Sequence, residues 1–187
     1  MRRRFGLAAG LVAAICGSAS ILGCAATPGV DSSDKRVFVE VDGLVAVEAE
    51  HYATQTHNES RRWVLTSADH DPGIEPDGDP PHVEGTSSGG YLEALPDTRR
   101  THGDPLERGV NFFNNPAETT QGVLTYRVRF NTPGRYRVWA RLYSTGTEDN
   151  GLHVGLEGAW PESGRRLQWC EGKHTWRWES RQRTAEQ

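Results

Sequence analysis

Three cysteines in 187 residues are too few and too scattered to make a disulfide framework or a cysteine-ligated metal site. The seven histidines fall at no H-x-x-x-H or H-E-x-x-H spacing, so no zinc-binding helix is encoded. Apolar residues make up only 35% of the chain, and no window repeats them with helical period as clearly as several windows repeat them with a period of two. There is no basic excess. Without Arg2, Arg3 and Arg4 the 21 basic residues fall to 18 against 25 acidic ones, a net charge of −7. That balance excludes the electrostatic footprint of a nucleic-acid binder or of a protein drawn to anionic membranes.

What is present begins with a targeting pattern. Arg2, Arg3 and Arg4 precede an apolar run, Phe5 to Leu22, which Gly6, Gly10, Gly17 and Gly23 weaken as a spanning helix. It closes at Ile21-Leu22-Gly23-Cys24, which resembles the lipobox of bacterial lipoproteins. The resemblance implies a signal peptide over residues 1–23 and a lipid-carrying Cys24 as the mature N-terminus, despite the bulk of Leu22. The chain is then expected to cross the inner membrane and to be held at the cell envelope by acyl chains alone. Residues 24–35 are small, polar and without period, and read as a flexible tether. Cys170 is left as a lone thiol in an oxidising compartment.

From residue 36 onward, 21 glycines and 10 prolines in the whole chain favour short strands and many turns. VFVEV and LVAVEAE flank Asp42-Gly43, the composition of a tight two-residue hairpin turn. Residues 63–68 suit a further short strand. In Leu124–Phe130, Leu124, Tyr126, Val128 and Phe130 share one face; after Pro133-Gly134, Tyr136, Val138, Ala140 and Leu142 do the same. Two period-two segments around a tight turn predict an antiparallel hairpin with one buried face. The expected fold is an all-β antiparallel sandwich.

Several motifs suggest chemistry and fall short of it. Gly85-Thr86-Ser87-Ser88-Gly89 matches G-x-S-x-G, but without the strand-to-helix turn that presents a nucleophilic serine. Asp69, Asp71, Glu75, Asp77 and Asp79 invite a calcium loop, yet prolines interrupt the required alternation, which leaves a solvated acidic loop as the reading. No glycosidase pair can be picked from the abundant carboxylates by spacing alone. Glu48 and Glu50 lie two apart at a strand end and so point to one face, where a cation or solvent must relieve their repulsion. Five of the six tryptophans fall between Trp139 and Trp178, among Gly, Asp, Asn and Arg. That mixture suits a sugar-stacking surface or the core of a small β domain.

The segments Val45–Tyr52, Gly90–Asp97, Gly109–Phe113, Pro133–Arg141, Thr147–Gly155, Trp160–Gly164 and Trp169–Gly172 together resemble galactose-binding-like carbohydrate-binding modules. They are most similar to the C-terminal module of family 115 glycoside hydrolases. The resemblance implies a jelly-roll-like sandwich over residues 36–187, non-catalytic, that binds polysaccharide or oligosaccharide and carries structural calcium. It implies Glu48 and Glu50 as metal ligands, and Glu148, Asp149, Asn150 and His153 with the stacking residues Trp160 and Trp169 as the sugar site. It also implies a further cysteine, further strands and a terminal Asp beyond Gln187, so the sandwich is expected to lack its last strands and the metal site a ligand. The alternatives are a protein-interaction sandwich without a sugar site and an accessory fragment of a glycoside hydrolase.

Overall fold

A computed structural model describes residues 36–56, 61–112, 122–162, 167–168 and 171–182 in full. The tether, Cys24, Trp169 and Cys170 lie outside the described residues, as does the expected signal peptide apart from the backbone of residues 2–4, 6–7 and 12–13. The described chain is all-β. Its strands are β1 (Val37–Val39), β2 (Ala46–Val47), β3 (Thr54–Thr56), β4 (Arg62–Ser67), β5 (Gly90–Leu95) and β6 (Val123–Arg129). They continue as β7 (Arg135–Arg137), β8 (Ala140–Leu142), β9 (Gly151–Leu152), β10 (Gly155–Leu156), β11 (Leu167–Gln168) and β12 (Arg177–Glu179). A single 3-10 turn at Ala49–His51 follows β2.

Burial every second residue builds the core. Val45, Val47 and Ala49 enter it from around β2, Leu124, Tyr126 and Val128 from β6, and Leu152 and Val154 from β9 and its exit. Leu92 from β5, Ala140 from β8 and Leu167 from β11 close the same cluster, giving the sandwich-like packing of short strands around one apolar interior. Tyr126 is fully buried and donates its hydroxyl proton to the Ala49 carbonyl at 2.7 Å, so its one polar atom is satisfied.

The strands form largely as the alternation predicts, but two of their partners differ. At Asp42-Gly43 both central residues have positive φ, 51° and 81°, and Val41 and Leu44 exchange backbone hydrogen bonds at 2.9 and 3.0 Å. The hairpin stops there: β1 turns away from β2 and pairs in parallel with β6, Val37 opposite Arg127 and Val39 opposite Arg129. β6 also pairs antiparallel with β3, Thr54 opposite Thr125.

The second predicted hairpin does not form. β7 and β8 bury the expected face, with Ala140 buried and Tyr136, Val138 and Leu142 packed on the core, yet β8 pairs with β12 rather than with β6. The cause is Glu40, 2% exposed, whose Oε2 accepts from the Asn131 and Thr132 backbone N–H groups at 2.9 and 2.7 Å. The Tyr136 hydroxyl reaches the same oxygen at 3.0 Å and the Thr132 carbonyl at 2.5 Å, the contact of a tyrosine corner. These bonds fold the Pro133-Gly134 turn over the end of β1 and send the chain across the sandwich.

β4 and β5 make the longest antiparallel ladder, from Arg62 opposite Leu95 to Ser67 opposite Gly90. Leu92 and Trp63 face the main core, while Thr66, Tyr91 and Glu93 share the opposite face. That second face carries the chemistry.

Candidate functional site

A cleft of about 680 Å³ opens on the sandwich, a size that suits a small ligand. Its floor is the core itself, Val47, Ala49, Leu92, Leu124 and Leu152. Its aromatic wall comes from residues far apart in sequence. His82 and Tyr143 stack at 3.8 Å with a 17° interplanar angle. Trp176 meets Tyr91 and Tyr143 edge-on at 5.4 and 5.6 Å, and its indole N–H donates to the His82 carbonyl at 3.1 Å. The Arg141 guanidinium covers the Trp176 ring at 5.3 Å. Trp176 is thereby engaged on a face, an edge and its polar atom.

The segment 71–89 contains no strand, as its composition predicts, but it is pinned down rather than solvated throughout. Asp97 N–H donates to the Pro76 carbonyl at 2.7 Å, Arg100 donates to the Gly78 carbonyl at 2.7 Å, and His82 N–H donates to the Tyr91 hydroxyl at 3.1 Å. Asp69, Asp71 and Glu75 stay exposed, while Asp77 and Asp79 are half-buried. The last two meet Glu93 of β5, one carboxylate oxygen from each lying within 4.8 Å of the others. Asp79 is also bonded to the His82 ring, and Glu93 Oε2 accepts from the Thr66 hydroxyl at 3.0 Å.

Burial, then the charges of Asp77 and Asp79, push the Glu93 carboxyl up to about 7. Burial likewise raises Asp77. Because Glu93 binds its proton more tightly folded than unfolded, it stabilises the fold fully below pH 4.5, and this contribution is lost as pH rises towards about 7. Thermal melts at pH 5 and 7.5 should therefore show a smaller pH-dependent fall in Tm for Glu93→Gln than for the parent chain. An unchanged fall would show that Glu93 does not hold its proton.

Three hard oxygen donors at this spacing fit a calcium ion. The family resemblance implies Glu48 and Glu50 as the ligands instead. Glu48 Oε2 accepts from the Ser87 hydroxyl at 2.7 Å and Glu50 accepts from the Ser88 hydroxyl. Both carboxylates line the cleft, but among the described residues the three-group acidic cluster is Asp77, Asp79 and Glu93. The same contacts place Ser87 of the G-x-S-x-G match in a bend that runs into β5 rather than into a helix, with a carboxylate as its partner.

Glu148, Asp149, Asn150, His153 and Trp160, which the family resemblance implies as sugar contacts, all line the cleft. Their bonds hold the loop in place. Glu148 is paired with Arg99 at 3.2 Å and with the His102 ring at 2.9 Å. Asp149 accepts from the Thr145 and Gly146 backbone N–H groups at 2.8 Å each, which holds its carboxyl below the usual range although burial opposes this. Asn150 donates to the Thr147 carbonyl at 2.9 Å and accepts from Gln168 at 3.1 Å. Trp160 packs against the Gly155 backbone so closely that a Cβ there would come within 2.9 Å of its ring. Trp169 lies outside the described residues.

Spacing gives no hint of Arg61 and Asp97, which the fold brings into the same cleft. Their closest approach is 3.8 Å, too long for a hydrogen bond, and Arg61 Nε and Asp97 Oδ1 have no hydrogen-bond partner among the described residues. Burial lowers the Arg61 guanidinium and raises the Asp97 carboxyl, with each opposing the other's shift. Tyr91 and Glu93 were findable in principle: they alternate with the core residues of β5.

In comparisons with known proteins, 151 residues of this chain, 81% of it, are 54% identical to the "Uncharacterized protein P23" of Formosa agariphila. They cover 36% of that protein, so the chain spans about a third of the length of the relative it matches. No family model matches. No solved structure matches.

Proposed function

We propose that this chain is a non-catalytic carbohydrate-binding module that holds polysaccharide at the bacterial cell envelope through a lipid on Cys24. The observation that supports it most is the cleft: apolar at its floor, walled by aromatic rings and rimmed by hydrogen-bonding side chains, the combination that a pyranose with one apolar face and a ring of hydroxyls requires. Asp77, Asp79 and Glu93 would hold a structural calcium ion, which would offset their mutual repulsion and tie the 71–89 segment to β5.

A protein-interaction sandwich is the second reading. The floor of Val47, Ala49, Leu92, Leu124 and Leu152 favours it, because an apolar segment from a partner could fill that space. Retardation of the chain in gels containing individual polysaccharides, with calcium or with a chelator, separates the two. The carbohydrate reading expects retardation by at least one glycan, weakened by the chelator and by Trp160→Ala. Migration unchanged in every glycan would leave the interaction reading.

A further inference from the structure

Among the described tryptophans, Trp178 stands apart. It is 50% exposed on a wall of the cleft, whereas Trp176 is bound by Tyr91, Tyr143, Arg141 and the His82 carbonyl. Trp63 gives its indole N–H to the Gly122 carbonyl at 2.7 Å, and Trp160 lies against Gly155. Trp178 sits directly opposite Arg141 in the β8–β12 ladder, so the two side chains leave the same face of that sheet. Trp176, just before β12, lies under the same Arg141 guanidinium. The result is an open indole beside a guanidinium whose position is fixed by stacking on Trp176.

Seven carboxylate residues line the cleft against three arginines, and with Asp79 and Glu93 set aside for calcium the remaining five still outnumber them. An anionic sugar would enter a field of its own sign, while a ligand without charge meets no such opposition. We propose that Trp178 is the stacking platform of the glycan site, with Arg141 donating to ring hydroxyls, and that the site takes uncharged pyranose glycans and rejects uronate or sulfated ones. This rests on the carbohydrate-binding reading and adds to it a platform and a ligand class. An indole covering the C–H face of a pyranose excludes water from both apolar surfaces, and Arg141, already ordered, loses little freedom on bonding a hydroxyl.

The test uses the full chain on neutral mannan and galactan beside polygalacturonate and carrageenan. Binding is expected to the neutral polymers, with little change between about 50 and 500 mM salt. Trp178→Ala should weaken it about tenfold with a melting temperature lowered by only about 5 °C or less, because half of the indole is already in solvent. Trp178→Phe should recover part of the loss. Neutral-glycan binding that Trp178→Ala leaves intact overturns the platform while the module reading stands. Binding confined to the anionic polymers overturns the ligand class. Where another neutral glycan is retained in place of these, loss of that retention in Trp178→Ala supports the platform and undiminished retention overturns it. Retention by no glycan at all removes both the module reading and this inference.

Discussion

Replacing Glu40 by alanine is expected to lower the melting temperature by roughly 10 °C, since several hydrogen bonds to a charged group are lost together. Four donors converge on this buried carboxylate. Gly43 N–H donates to Oε1 at 2.8 Å, and Asn131 N–H, Thr132 N–H and the Tyr136 hydroxyl converge on Oε2. Burial alone would raise the group, but the Thr132 N–H, the Tyr136 hydroxyl and the Gly43 N–H together hold it below the usual range. Glutamine is therefore no substitute: its amide would turn N–H groups towards donors that already point inward. Glu40→Gln should fall nearly as far as Glu40→Ala. Because the folded state lowers this carboxyl, its contribution is complete above pH 4.5 and is lost as pH falls through the lower folded value. Melts between about pH 3 and 6 should show a shallower acid fall in either variant, a window below that of Glu93. A variant melting like the parent would mean that the turn after β6 holds without Glu40.

The same residue marks how far the sequence could be read. Period-two alternation places Leu124, Tyr126 and Val128 in the core and predicts the buried face of β7 and β8, because burial is a local pattern that each strand carries in itself. Pairing is not local. Whether β8 returns to β6 or crosses to β12 depends on Glu40, more than 90 residues before the turn it anchors, and nothing within the two segments records that contact. Asp42-Gly43 makes the turn that its composition predicts, but a turn fixes only the residues beside it, and β1, which ends at Val39 just before that turn, is paired with β6 instead.

The cleft divides in the same way. Glu148, Asp149, Asn150, His153 and Trp160 come to it from one stretch of sequence, so a local pattern can group them. The aromatic wall joins His82, Tyr91, Tyr143 and Trp176 from four separate segments, and the acidic group joins Asp77 and Asp79 to Glu93 across a strand. Tyr91 and Glu93 fall on the polar half of an alternating strand, where side chains ordinarily face solvent. Only the segment laid over them by its bonds to Tyr91, Asp97 and Trp176 turns that face into an interior one.

Gly146→Ala should destabilise the chain by about 3 kcal/mol and disturb one side of the cleft while leaving the rest of the sandwich in place. The glycine is not there for its backbone angles, since its φ is not positive. It is there for space: a Cβ at this position would lie 2.0 Å from the Arg100 carbonyl oxygen. That oxygen cannot yield easily, because it accepts from the Thr147 and Glu148 backbone N–H groups at 2.8 and 3.0 Å. Relief of the clash therefore lifts the 145–149 loop off Arg100 and breaks those two bonds. Asp149 then loses its alignment with Thr145 and Gly146, and Glu148 its pairing with Arg99. Hydrogen exchange should show the loss as faster exchange at Thr145 to Glu148, with the β4–β5 ladder protected as before. If the carbohydrate reading holds, glycan binding falls with the loop, although no side chain that contacts the sugar has been changed. Unaltered exchange in this loop would show that the Arg100 backbone moves aside and that the loop's position does not depend on the close approach.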